Sequence, residues 1–519
     1  MAPVVVGGEL LTSATDAPHR GVWEIELELD HPNGNPFFDV DLLFVFTLPD
    51  GSEAKAEGFY RGTNKWAGRA YCSQLGVWKW RTAANRPALN GKQGSFKVVP
   101  SKSPGKLRQH PKDSHQFAYD NGDWFLHIGD TGYRYVTDTE PLWQQYIDEA
   151  AQVGFNKIRV WLCRGRSDIQ AVFARDRQGL DLAYWDEMER RLVYALEKYP
   201  HIQFQVIPYG EDLAELRRYG DGDRAAILVA RYAQARFSAF PNVQWCISND
   251  SIISPKPGKR HADPATINRI GTDMRTREPW GTLISNHQAR FTGYSFVHSP
   301  WSDIITLEDR DQVAGALVLQ YRALSAAPVV MEEDRYGLYM SPKHDRYFFR
   351  RFMWANLLSG GCATYGGLAT YEAYAGTNKT KGVQGYLTAV RDGRLDDGAA
   401  DFPHIRRFFA EADLSLVGLQ PNDPMAGNDG YAVKVTAGPS TIIAYLQNPD
   451  SRESEAANVA ETPAQCRLHL PHGAWRVRWF DPRSGRWHSN PERTELSGGG
   501  TRAFKAPFPG DAVLLLTLP

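Results

Sequence analysis

Between residue 115 and about residue 420, short apolar runs alternate with amphipathic stretches eight times, and few architectures accept that rhythm. The runs cover residues 124–131, 156–162, 202–209, 243–250, 282–287, 303–308, 328–333 and 361–366. Between them lie stretches such as PLWQQYIDEAAQVG, YWDEMERRLVYALEKY and DRAAILVARYAQARFSAF, with apolar residues near the i, i+3, i+4, i+7 spacing of a one-faced helix. Eight strand–helix units over about 300 residues are the count and size of a (β/α)8 TIM barrel. A doubly wound sheet is the main rival. It lacks support, because no GxGxxG follows the first run and no P-loop occurs.

The flanks read differently. Residues 22–29 alternate, residues 40–48 are mostly apolar, and GVWKWRT at 76–82 adds a short strand, with HPNGNP and PDG as turns between them. This predicts an N-terminal β-sandwich over residues 1–104. The Pro/Ser/Lys-rich VVPSKSPGKLRQHPKD reads as a linker into a barrel spanning residues 105–420. YAVKVTA, STIIAYLQ, CRLHLP, WRVRWFDP and AVLLLTLP then predict a second sandwich over residues 421–519. The expected class is α/β: a barrel flanked by two sandwiches, which brace it, bind sugar or mediate a homo-oligomer, bracing being the preferred role.

Charge and cysteine content exclude several functions. The 59 Lys+Arg against 60 Asp+Glu leave a net charge of −1, which disfavours a nucleic-acid binder or a polybasic membrane-surface protein. Five scattered cysteines without a CxxC pair support neither a disulfide framework nor a thiolate zinc site. No cofactor is expected, although a structural calcium stays open. No apolar run reaches the roughly 18 residues needed to span a bilayer, and MAPVVVGGELLTS lacks the pattern of a secretory signal. The expectation is a soluble, cytoplasmic protein, or a secreted one if a leader was removed.

In a TIM barrel the chemistry sits where the strands end. Carboxylates dominate those ends: Asp130 after strand 1, Glu211 and Asp212 after strand 3, Asp250 after strand 4, Glu308 and Asp309 after strand 6, and Glu332, Glu333 and Asp334 after strand 7. Neither HExxH nor GxSxG is present. Glu211 and Asp212 read better as a helix N-terminus than as a site. Paired strand-end carboxylates suit glycoside hydrolysis, in which one acid protonates the leaving oxygen while another carboxylate attacks or activates water. PNVQWCISNDS (241–251) and APVVMEEDRYG (327–337) stand out, and Asp250 and Glu333 could flank one glycosidic bond.

The Asn249-Asp250 pair and the strand-7 glutamate resemble signatures of the large clan of retaining (β/α)8 glycosidases, with aspartate where that clan usually has glutamate. Within it, FAYDNGDWFLHIGDT (117–131), GFNKIRVWL (154–162) and RRFMWANLLSGGCATYGG (350–367) are similar to the apiosidase-like glycoside hydrolases, which favour aspartate at the end of strand 4. NPFFDVDLLFVFTLPDGSEAKAEGFYRG (35–62) and WRVRWFDPRSG (475–485) resemble the small sandwiches that flank such barrels. The resemblance implies Glu333 as nucleophile and Asp250 as acid/base, with Glu332 the competing nucleophile. Asp334, where the family commonly has proline, and Gly337, where it frequently has an acid, point to altered substrate choice.

The expected substrate is an oligosaccharide or glycoside, cleaved with retention and exo-acting on a terminal pentose or furanose such as apiose. Asn249 and Asp130 are candidates for sugar hydroxyls, Arg159 for holding the nucleophile ionised, and His287 for binding substrate. Trp161, Trp301 and Tyr365 are candidates for stacking on a sugar face. Against this stand a catalytically inactive carbohydrate-binding barrel and a sugar lyase on the same scaffold.

Overall fold

All eight apolar runs contain strands: β1 (Ile128–Asp130), β2 (Lys157–Trp161), β3 (Gln203–Ile207), β4 (Val243–Cys246), β5 (Ile284–Ser285), β6 (Ile305–Glu308), β7 (Val329–Glu333) and β8 (Cys362–Tyr365). They belong to a computed structural model that describes residues 10–29, 33–162, 169–210, 213–253, 262–309, 314–334, 346–366, 397–427, 430–451, 460–488, 495–497 and 499–519. The strands join in the order β5-β4-β3-β2-β1-β8-β7-β6, giving an eight-stranded, nearly closed parallel barrel. Their residues are buried on both faces, which is why the sequence shows runs rather than alternation. Parallel pairing puts every strand's carboxyl end on the same rim.

Strand β5 is shorter than its apolar run because its outer edge is already satisfied. The Asp303 N–H donates to the Ile284 carbonyl at 2.9 Å. The Asp303 carboxylate accepts the Ile284 N–H at 2.8 Å. One residue thereby replaces a neighbouring strand. The first run also divides: Trp124–Phe125 pairs in a small three-stranded sheet with Leu107–His110 and Asp113–Tyr119, and only Ile128–Asp130 enters the barrel.

The chain divides into two units, one of Met1–Arg108, Ala118–Asp123 and Ile158–Asp303, the other of Gln109–Phe117, Trp124–Lys157 and Ile304–Pro519. In the first, a four-stranded and a five-stranded sheet form the N-terminal sandwich. Strand Gly76–Ala84 turns Trp78, Trp80 and Thr82 inward, and Trp23 stacks on Phe96 with centroids 4.0 Å apart. Gly68 lies under the Phe44 ring, where a Cβ would come within 2.3 Å, so only glycine fits there. The buried Glu189 accepts from Arg69 at 2.7 Å and from Arg236 at 2.6 Å. Burial alone would raise its pKa, but Arg236, Arg69 and Arg61 hold it well below the usual range.

Residues 98–108 of the stretch expected as a linker fall in this unit. Lys106 is fully buried, donating to the Phe240 carbonyl at 2.8 Å and to Thr282 Oγ1 at 2.9 Å. Burial pushes its amine down to about 7. A Pro/Ser/Lys composition signals solvent exposure, but here the backbone carbonyl and hydroxyl satisfy the amine and make burial tolerable.

In the second unit the C-terminal sheets enclose a core that includes Trp475, Trp479, Leu468 and Leu514. Arg350, on helix Arg346–Leu358, ties this sandwich to the barrel helices. It forms a two-pronged pair with Asp511 at 2.7 Å and also bonds Asp401. Burial would raise the Asp401 carboxyl's pKa, but His404, Arg346 and Arg350 lower it to about 2. The four cysteines among the described residues are free and buried; Cys163 lies outside them. Among the described residues, no helix is long and apolar enough to cross a membrane.

Candidate active site

In the first unit, β4 ends at Cys246, and Ile247 and Ser248 lead on to Asn249 and Asp250. Asp250 adopts a left-handed backbone (φ 45°), a conformation aspartate tolerates better than most residues. Three bonds hold the turn to the end of β5: the Ser251 N–H to the His287 carbonyl at 3.1 Å, the Ala289 N–H to the Ser251 carbonyl at 3.2 Å, and the Ser251 hydroxyl to the His287 carbonyl at 2.9 Å. Ser248 Oγ and Asn286 Oδ1 meet at 2.8 Å behind them.

These constraints order a relay of side chains. Arg159, fully buried on β2, donates to Asn249 Oδ1. The Asn249 amide nitrogen donates to Asp250 Oδ1 at 2.9 Å. His287 Nδ1 lies 3.2 Å from the same carboxylate oxygen and 3.3 Å from the Asp250 backbone nitrogen. With its hydrogen on Nδ1 the ring donates to the carboxylate, and with Nδ1 bare it accepts the backbone N–H. The Asp250 side chain keeps 20% of its surface exposed.

In the second unit, β7 solves a problem of adjacency. Its register with β6 pairs Leu307 with Met331 and then Glu308 with Glu333, skipping Glu332. Such a bulge re-aims the side chains around it. Glu332 turns into a buried pocket where Lys157 Nζ lies 2.5 Å from both carboxylate oxygens and the Thr364 hydroxyl donates at 2.7 Å. Burial, with Lys157 nearby, pushes the His127 imidazole down to about 3, so it stays neutral. Glu333 instead faces Glu308, with carboxylate oxygens within 4.8 Å of each other. Glu332, the competing nucleophile, is thus committed to Lys157.

The seven residues expected to bind substrate are all buried to 3% exposure or less. Arg159 bonds Asn249, whose amide is engaged at both ends, and His287 faces Asp250. Asp130 accepts from the Tyr146 hydroxyl at 2.5 Å. Trp301 does not offer a stacking face. Its ring is wedged over Gly271, where a Cβ would come within 2.2 Å, and its indole nitrogen donates to Asn268 at 2.9 Å. Tyr365 is packed among Phe155, Phe349 and Phe402, and Trp161 is fully buried on β2. All three of these aromatic side chains are packed in the interior. Glu308 was legible as a strand-end acid, but only the register of β6 with β7 gives it a partner. Glu211, Asp212 and Gly337 lie outside the described residues.

Asp250 and His287 in the first unit, and separately Glu308 and Glu333 in the second, carry side chains of a kind that ligates metal ions. Carboxylates and imidazole suit several divalent cations.

Residues 111–415 match the family described as "Apiosidase-like, catalytic domain". Residues 20–85 match a domain of unknown function, DUF5060. No curated protein matches the chain. Among solved structures, a candidate glycoside hydrolase from Bacteroides vulgatus ATCC 8482 is similar at a TM-score of 0.76 and 18% identity, covering 97% of this chain and 99% of that one. A glycoside hydrolase family 5 protein from the same organism is similar at a TM-score of 0.63 and 15% identity, covering 80% of this chain and 94% of that one. At such identities the likeness speaks to the fold. With more than half its length matched by one family and strand-end acids on a parallel barrel, the chain belongs to the apiosidase-like family of glycoside hydrolases.

Proposed function

We propose that the protein cleaves a glycosidic bond by retaining double displacement, with Glu333 as nucleophile and Asp250 as acid/base. The carrying observation is that both acids stand at the carboxyl ends of strands of one parallel sheet, β7 and β4. That is the rim where TIM-barrel chemistry is built. Glu333 attacks the anomeric carbon while protonated Asp250 gives its proton to the departing oxygen. Asp250 then takes a proton from water, and the hydroxide displaces Glu333 from the glycosyl-enzyme.

Glu308, opposite Glu333, is suited to accept a bond from a sugar hydroxyl, which relieves the repulsion between two facing carboxylates. The Arg159-Asn249 relay fixes the Asp250 carboxyl. The family resemblance supports exo action on a terminal pentose or furanose unit.

A panel of nitrophenyl pentosides and hexosides, together with plant oligosaccharides, tests this reading, with Glu333→Gln and Asp250→Asn as controls. Proton NMR of the first-formed sugar should show the substrate's anomeric configuration. An inverted product would overturn the retaining assignment. Binding without turnover would mark an inactive barrel, and unsaturated products absorbing in the near ultraviolet would mark a lyase.

A further inference from the structure

Among the described residues, Phe291 is the most exposed large hydrophobic side chain, at 70%. Its backbone is left-handed (φ 64°), which is uncommon for any residue with a Cβ and an outlier for a bulky one. It occupies the third position of a turn whose ends are tied twice. The Thr292 N–H donates to the Ala289 carbonyl at 3.2 Å, and the Thr292 hydroxyl donates to the same oxygen at 2.5 Å. A turn with positive φ at that position favours glycine. This chain puts a phenyl ring there, and the fold holds the ring in solvent.

The turn's location gives that strain a use. It lies four residues beyond His287, and Ala289 is bonded to Ser251, the residue after Asp250. Ile252, also exposed at 37%, follows in the same β4 loop, and that loop is bridged to the Phe291 loop between Ser251 and Gln288. Two of the exposed large apolar side chains thus rise from the two loops that hold Asp250. Backbone strain concentrates at ligand clamps, where binding recovers what folding spent.

We propose that Phe291, flanked by Ile252, is a specificity-determining platform for the leaving group, receiving a flat apolar face presented beside Asp250. The face is that of an aryl aglycone or the C–H face of a second sugar. This rests on Asp250 being the proton donor, because the donor marks the leaving-group side of the bond. A phenyl ring offers dispersion contact and no hydrogen bond, so it selects for shape and apolarity rather than for a hydroxyl pattern.

The test compares Phe291→Gly with the parent enzyme on three substrates carrying one glycosyl unit: the 4-nitrophenyl glycoside, a disaccharide and the glycosyl fluoride. Fluoride offers no face to stack on and needs no proton donor. Phe291→Gly should raise KM for at least one of the first two by about 5- to 10-fold, with kcat within about twofold. The fluoride should be unchanged. A rise confined to the nitrophenyl glycoside identifies an aryl aglycone, and one confined to the disaccharide identifies a sugar. Equal KM on all three substrates, or an equal rise on all three, would overturn the platform. The thermal midpoint should hold or rise, since glycine relieves the turn; a fall would mean that the ring is a packing element, and would also overturn it. Asp250→Asn, run in parallel, should cut kcat/KM for the disaccharide and leave that for the fluoride near the parent's, whose kcat alone falls because Asp250 also deprotonates the attacking water. If it does not, the proton-donor assignment fails separately from the platform.

Discussion

Lys157 and Glu332 form a buried ion pair, with Nζ 2.5 Å from both carboxylate oxygens, one residue away from the glutamate that faces Glu308. Two adjacent glutamates therefore have different duties. Glu333→Gln should lower kcat roughly 10⁴-fold or more while leaving the thermal midpoint close to that of the parent. Glu332→Gln should show the opposite balance, because it leaves Lys157 buried without its counter-charge, a loss of about 3–5 kcal/mol in stability. Chemical denaturation and steady-state kinetics on both variants check this. If Glu332→Gln were stable and inactive while Glu333→Gln were active, the assignment would be reversed.

Asp250→Asn should reduce kcat by about 10²- to 10⁴-fold on substrates with poor leaving groups, the span expected for a lost general acid. Asn249→Ala removes the acceptor for the buried Arg159 and a donor to Asp250. It should lose about 1–3 kcal/mol of stability from the stranded partner, together with activity. Kinetics on leaving groups of graded acidity separate the two effects, since an Asp250→Asn defect in kcat/KM that ignores leaving-group acidity contradicts proton donation, whereas a uniform fall in kcat reports the lost base of the second step.

Lys106 makes stability depend on alkaline pH. Burial lowers its pKa from 10.5 to about 7 in the folded protein. Between those values the unfolded chain binds more protons than the folded one, so stability rises with pH across that window. Below it, both states are protonated and the fold carries a buried ammonium at full cost. Melting curves from pH 6.5 to 9 should show the midpoint of the parent climbing relative to that of Lys106→Met. Parallel pH profiles for the two proteins would show that the amine does not titrate in this range.

Glu308 and Glu333 are also metal-capable donors. A cation on Glu333 would occupy the lone pairs needed for attack. Activity is expected to survive chelation with EDTA and to fall when zinc is added. Loss of turnover in EDTA, restored by a divalent cation, would instead assign these side chains to a metal centre.

The barrel was legible because parallel strands buried on both faces must be apolar and their covering helices must be one-sided, as residues 243–250 and 223–240 show. The site was legible only as residue types at strand ends. The register shift that pairs Glu308 with Glu333 leaves no trace in composition, since it depends on how β6 and β7 align. Tryptophan identity does not say which face is covered, so Trp301 reads equally well as platform or packing until Gly271 is seen beneath it. Phe291 was missed for the converse reason: an apolar residue is presumed inside unless the backbone holds it out. Lys106 was missed too, because its partners, Phe240 and Thr282, are more than a hundred residues away.

The substitution of Asp303 for a neighbouring strand at β5 has an evolutionary consequence. A strand edge completed by one side chain and one amide resists pairing with a foreign chain. It also leaves residues 290–302 outside the barrel's ladder. Insertions and exchanges around Phe291 can then accumulate while the scaffold beneath stays in register, so lineages sharing this barrel can diverge in what they digest without first relearning how to fold.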